Sequence, residues 1–175
     1  MCGFAGYIHN YGTFDKEEVI HKMADRIKHR GPDDAHYYID DGIALGFRRL
    51  SIIDLEGGRQ PILNEDGSLV LLFNGEIYNY QELREELIKA GHVLHGYEEY
   101  GKKILDRLRG MFAFIIWNKN TKELFGARDI FGIKPFYYYK KGKEFMFGSE
   151  IKSFLSHPNF EKELDEDMIP LYLSY

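Results

Sequence analysis

Apolar positions along this chain fall in strand-like runs at both ends and in helical spacing between them. Cys2 to His9 is short, apolar and punctuated by glycine, and it predicts a strand. From Asp15 to His29 the apolar residues Val19, Ile20, Met23, Ala24 and Ile27 recur at helical spacing. Asp15 with Glu18 predicts a capping box at its start, and Gly31-Pro32 stops the helix. Strands are expected at 35–40 and 43–53, joined by the turn Asp40-Asp41-Gly42. Glu56 to Gly67 reads as a loop. Ser68 to Phe73 is a buried strand that runs into Asn74-Gly75, a strong tight-turn signal. Asn79 with Glu82 predicts a second capping box, opening a helix that ends at Gly91. Helical spacing returns from about Gly96 to Arg109. The last third predicts strands at 111–117, 123–129, 135–140 and 144–148, then a short helix near 149–155 and an apolar tail. Strands clustered at both ends, with no regular βαβ alternation, indicate an α+β fold with antiparallel sheets.

Composition narrows the function classes. Of the 175 residues, 44% are hydrophobic and 15% aromatic, enough for a packed core and against disorder. The formal charge of −5 comes with no basic stripe, which argues against nucleic acid as the main partner. No apolar run approaches the ~18 residues of a membrane span. The first residues lack the regions of a signal peptide, so the cytoplasm is the expected location. A single cysteine excludes an internal disulfide and a cysteine-based zinc cage.

That cysteine is the first candidate for chemistry. Removal of Met1 would leave Cys2 with a thiol and a free α-amine, which can act together as nucleophile and proton carrier. An α-amine has a reference pKa of about 7.7–8.0, suited to a general base. The plain alternative is a small hydrophobe opening a strand. Asn74-Gly75-Glu76 offers an amide and a backbone N–H that can stabilise an oxyanion; the alternative is a turn before a helix cap. Arg48-Arg49 can grip a carboxylate bidentately, although paired surface arginines are usually only solvated. His92 and His95 have no third ligand nearby in sequence, so no metal site is expected. No phosphate-cradling glycine loop is present; Leu55-Glu56-Gly57-Gly58-Arg59 has an acidic neighbour and no following helix.

Together these pieces resemble the class II glutamine amidotransferases, N-terminal-nucleophile hydrolases. The resemblance runs through Met1-Cys2-Gly3-Phe4-Ala5-Gly6, His29-Arg30-Gly31-Pro32-Asp33, Arg49-Leu50-Ser51-Ile52, Gln60-Pro61 and Asn74-Gly75-Glu76-Ile77-Tyr78-Asn79. It continues through Gly110-Met111-Phe112-Ala113-Phe114, Ala127-Arg128-Asp129, Gly132-Ile133-Lys134-Pro135 and Gly148-Ser149-Glu150. The chain is most similar to the glutaminase domain of glutamine-hydrolysing asparagine synthetases. The resemblance implies a four-layer αββα sandwich and hydrolysis of glutamine to glutamate and ammonia. It implies that Cys2 is the nucleophile, that Asn74 and Gly75 form the oxyanion hole, and that Arg49 holds the substrate carboxylate. Leu50, Ile52 and Glu76 would line the glutamine pocket.

Two departures stand out. The family's Ser-Asp-x-Glu segment, whose Asp binds the substrate α-amine, has no counterpart after Gly91. About ten residues are missing between Val93 and Leu94, and a dropped mobile loop is expected there rather than a true deletion. The family's asparagine synthetases also continue into an ATP-dependent synthetase domain, where ATP and magnesium are expected. Residues 1–160 are therefore read as the glutaminase domain and 161–175 as the start of a linker to that domain. Alternatives are a glutaminase serving another acceptor, such as a sugar phosphate or phosphoribosyl substrate, and a degenerate interaction domain. The sequence leaves homodimerisation undecided.

Overall fold

The first residues of the chain become a central strand because their alternating small and aromatic side chains fit between two neighbours. In the computed structural model, which describes residues 1–8, 13–51, 58–86 and 93–174, β1 (Gly3–Ile8) pairs antiparallel with β3 (Ile43–Arg49) and β9 (Glu144–Gly148). With β2 (Asp34–Ile39) and β8 (Tyr137–Lys141) at the edges, the first sheet has the order β2-β3-β1-β9-β8. The second sheet has the order β4-β5-β6-β7, from β4 (Ile62–Leu63), β5 (Leu69–Ile77), β6 (Gly110–Asn118) and β7 (Glu123–Arg128). Every pairing is antiparallel.

Three apolar clusters define four layers. Phe4, Ile43, Leu45, Phe47 and Phe147 of the first sheet meet Val70, Leu72, Ala113, Ile115 and Trp117 of the second. The outer face of the first sheet packs Ala5, Tyr7, Ala44 and Met146 against α1 (Lys16–Asp25) and the 3-10 turn Ile151–Ser156. The outer face of the second packs Leu69, Leu71, Phe112, Phe114 and Ile116 against Leu83 of α2 (Tyr80–Glu86), Leu94 of α3 (Val93–Tyr100) and Ile104. This is the expected α+β sandwich. A last helix, α4 (Ile169–Leu173), is exposed throughout.

Several local expectations change. Asn74-Gly75 is no turn: both residues lie inside β5, whose pairing with β6 runs unbroken from Leu69↔Asn118 to Ile77↔Gly110. The long ladder outweighs the local dipeptide preference. Strand β3 ends at Arg49 rather than near 53, and the helix expected to reach His29 ends at Asp25, with a 3-10 turn at Lys28–Arg30. Asp15 caps α1 by accepting from the N–H groups of Glu17 and Glu18 at 2.8 and 3.2 Å, while Glu18 pairs with Lys22. Asn79 stands just before α2, its carbonyl accepting from Leu83 N at 3.1 Å, and its side chain donates to Arg107 O and accepts from Arg109 N, both at 2.9 Å. Val93 and Leu94, between which a dropped loop is expected, both lie at the start of α3.

Candidate active site

One hydrogen bond fixes how the two sheets lie end to end. Trp117 Nε1 donates to Asp40 Oδ2 at 2.7 Å, joining β6 to the β2–β3 hairpin. At that end stand Ile8 and Ile43 of the first sheet and Val70 of the second, through its partner Trp117. Strands of packed sheets run roughly along one another. Following β1 back to Cys2, β3 on to Arg49 and β5 on to Asn74 therefore leads to the same, opposite end. Alternation puts the side chains of Cys2 and Phe4, Arg49 and Phe47, and Asn74 and Leu72 on the facing surfaces.

Cys2 is half-buried beside Leu50. Leu50 N donates to its Sγ at 3.4 Å, and the thiol points at Leu50 O at 3.7 Å. The β1–β3 register pairs Gly3 with Arg48, so one step further sets Cys2 opposite Arg49. Arg49 is 5% exposed, and its guanidinium lies on the backbone of Gly58, where a Cβ would fall 2.5 Å from Nη2. Arg48 points the other way, donating to Ala24 O and pairing with Asp25 on α1. Of the two arginines only Arg49 faces the site. The loop before β2 supports this end: Asp33 N donates to Arg49 O at 3.1 Å, and Asp33 Oδ2 accepts from Ser51 N at 2.7 Å.

The second sheet supplies Asn74, Gly75 and Glu76. Asn74 is 3% exposed, and among the described residues its Nδ2 has no hydrogen-bond partner, an amide donor held in the core. Gly75 is exposed, and a Cβ there would meet Met111 O at 2.2 Å and Phe112 Cα at 2.6 Å, so only glycine lets β6 close against it. Glu76 is exposed at the rim. Gln60 holds the strand from the side: its amide accepts from Phe73 N at 2.6 Å and donates to Phe73 O at 2.8 Å. Ile52, expected in the same pocket, lies outside the described residues.

Sequence reasoning gave no role to Asp129 and Glu150, although both lie in quoted motifs. Asp129 is 5% exposed and accepts from the N–H groups of Ile133, Lys134 and Phe112 at 2.9, 3.0 and 3.2 Å. Burial pushes its carboxyl up, but these backbone bonds prevail and hold it below the ordinary carboxylate range. It thereby anchors Phe112, the residue on which Gly75 closes. The signal was there in an acidic residue followed three and four positions later by Gly132 and Ile133, a loop that needs an acceptor. His95, set aside as a ligand, stands beside Glu65 and Glu98, with ligand atoms within 4.8 Å of one another. His95 and Glu98 stand on α3 and Glu65 in the turn between β4 and β5; His95 bonds Glu65 at 2.9 Å and Asn64 donates to Glu98 at 2.8 Å.

A family model described as "Glutamine amidotransferase domain" matches residues 1–175. The chain belongs to that family. Among relatives of this amidotransferase domain, asparagine synthetase [glutamine-hydrolyzing] 1 of Bacillus subtilis is 46% identical over 188 positions, covering all of this chain and 30% of that protein. The second such enzyme of the same organism is 44% identical, over 99% of this chain and 25% of its own length. The chain thus spans less than a third of these relatives. The 188 aligned positions, against 175 residues here, leave at least 13 positions of that relative without a counterpart. The glutamine phosphoribosylpyrophosphate amidotransferase of B. subtilis has the same fold at 20% identity, with a TM-score of 0.63 over 89% of this chain.

Proposed function

We propose that this amidotransferase domain hydrolyses glutamine to glutamate and ammonia, with Cys2 as the nucleophile. The observation that carries the reading is the unpartnered amide of Asn74, buried on the layer that also holds the Cys2 thiol. A buried donor without an acceptor costs free energy in the resting protein. It is repaid when a negative oxygen forms beside it. Arg49 offers a guanidinium for the α-carboxylate. Once Met1 is removed, the Cys2 α-amine takes the thiol proton, and the thiolate attacks the side-chain amide carbon. The oxyanion is held by Asn74 Nδ2 and the Gly75 N–H. Collapse returns the proton to the leaving nitrogen, releases ammonia and leaves a thioester. Water then cleaves the thioester to glutamate and restores the thiol. Leu50 and Glu76 would line the substrate pocket. Among the described residues, Glu76 offers a carboxylate at the rim to meet the substrate amine; where the family's Asp segment has no counterpart, a high KM for glutamine is expected.

In the full polypeptide the ammonia serves ATP-dependent conversion of aspartate to asparagine. That step belongs to a synthetase domain outside residues 1–160, and the ATP and magnesium it uses are bound there. The extent of identity to two asparagine synthetases supports this acceptor. The test is release of glutamate and ammonia from glutamine by a chain shown by mass spectrometry to begin at Cys2. Cys2→Ala should abolish release with the fold intact. Full activity in a sample retaining Met1 would overturn the mechanism.

A further inference from the structure

The ladder of β1 begins at Gly3, so Cys2 lies just outside the sheet. A residue that must serve as nucleophile and base at once needs its terminal peptide held still. The Cys2 carbonyl accepts from Arg30 Nε at 3.1 Å. Arg30 is held in turn by Glu150, whose Oε1 accepts from Arg30 Nη1 at 3.2 Å. The same oxygen lies 2.8 Å from His29 Nε2, and Oε2 lies 3.0 Å from Lys152 Nζ. Burial pushes the Glu150 carboxyl up, but the bonds from Lys152, His29 and Arg30 prevail and hold it below the usual range.

Glu150 is itself fixed to the start of the chain. Its neighbour Ser149, fully buried, donates through its N–H to Phe4 O at 2.8 Å and accepts from Phe4 N at 3.0 Å. Ser153 Oγ closes the turn on Glu150 O at 2.7 Å. One turn after β9 therefore grips residue 4 directly and residue 2 through an arginine.

We propose that Glu150, acting through Arg30, is a positioning residue that sets the terminal peptide of Cys2, so that its amine and thiol meet the substrate amide together. The inference rests on Cys2 being the nucleophile. Misplacement by about 1 Å at a reacting group can cost up to about 100-fold in rate.

The test compares the Cys2-initiated chain with Glu150→Ala and Glu150→Gln, measuring glutamine turnover and the rate of Cys2 alkylation by iodoacetamide. Glu150→Ala should lower kcat by about 10- to 100-fold with KM within about twofold, because substrate contacts are untouched. Glu150→Gln keeps an acceptor for Arg30 and should fall between. If Glu150→Ala does not fold, as circular dichroism would show, Glu150→Gln carries the comparison alone. Wild-type kcat in the folded variants, or equal losses in kcat and 1/KM, would overturn the proposal. If the unsubstituted chain does not turn over glutamine, the proposed function fails, and alkylation decides the positioning role separately. Slower alkylation in the variants supports it and equal rates overturn it.

Discussion

A buried amide with nothing to bond is uncommon in folded proteins, and Asn74 keeps one at the end of the sandwich where Cys2 lies. If that donor is reserved for an oxyanion, Asn74→Ala should cut kcat by about 10²–10³ and change KM far less. Arg49→Ala should do the opposite, chiefly raising KM, since the substrate carboxylate is bound equally in ground and transition states. Steady-state kinetics on the two variants checks both, and the reverse pattern would mean that the roles are exchanged. Asp129 makes its prediction in stability. Its carboxyl is held below the ordinary carboxylate range by backbone N–H groups. A depressed folded value contributes stability that is present above the unfolded value and lost as pH falls through the folded one. Asp129→Asn should therefore lower the urea midpoint near neutral pH and flatten its decline below about pH 4. Asp129→Ala strands several backbone donors and should cost about 3 kcal/mol.

Among the elements, β5 has the tightest requirement. Its pairing with β6 brings Met111 O and Phe112 Cα to where a Gly75 side chain would stand. Gly75→Ala should cost about 2–3 kcal/mol by overpacking, read as a lower urea midpoint, together with lost turnover. At α1, loss of the Asp15 cap in Asp15→Ala should cost about 1 kcal/mol. These two elements also show what a sequence reveals. Helix α1 was legible because its apolar face repeats with one period and its cap is local. Strand β5 was legible only to Phe73: Asn-Gly signals a turn when nothing else constrains it, and nine residues of partner strand are a non-local constraint. The side-chain bonds of Asn79 to Arg107 O and Arg109 N were hidden for the same reason, their partners lying some thirty residues away. Cys2, Arg49, Asn74 and Gly75 stand out as candidates by residue type and order. Asp129 and Glu150 do not, because a carboxylate that binds backbone or another side chain looks in sequence like any solvated acid.

Across the whole molecule, the two sheets meet at one end through Asp40 and Trp117 and leave Cys2, Arg49 and Asn74 at the other. On the proposed division of labour, the 175 residues given glutamine, aspartate and ATP should yield glutamate and ammonia with no ATP consumed. Detection of AMP and asparagine by chromatography would show a second site within this chain. The bond at the far end has a practical use. Trp117 is the chain's one tryptophan, 1% exposed, with its indole N–H on Asp40 and Gly42 packed against its ring. Every photon of tryptophan emission thus comes from a single dry position that bridges the sheets. The protein carries a built-in fluorescent gauge, blue-shifted while the layers are closed and red-shifted once water enters between them. Urea should move that spectrum in one step, whereas glutamine should leave it still. A spectral change on adding glutamine alone would reveal that events at one end of the sandwich are felt at the other.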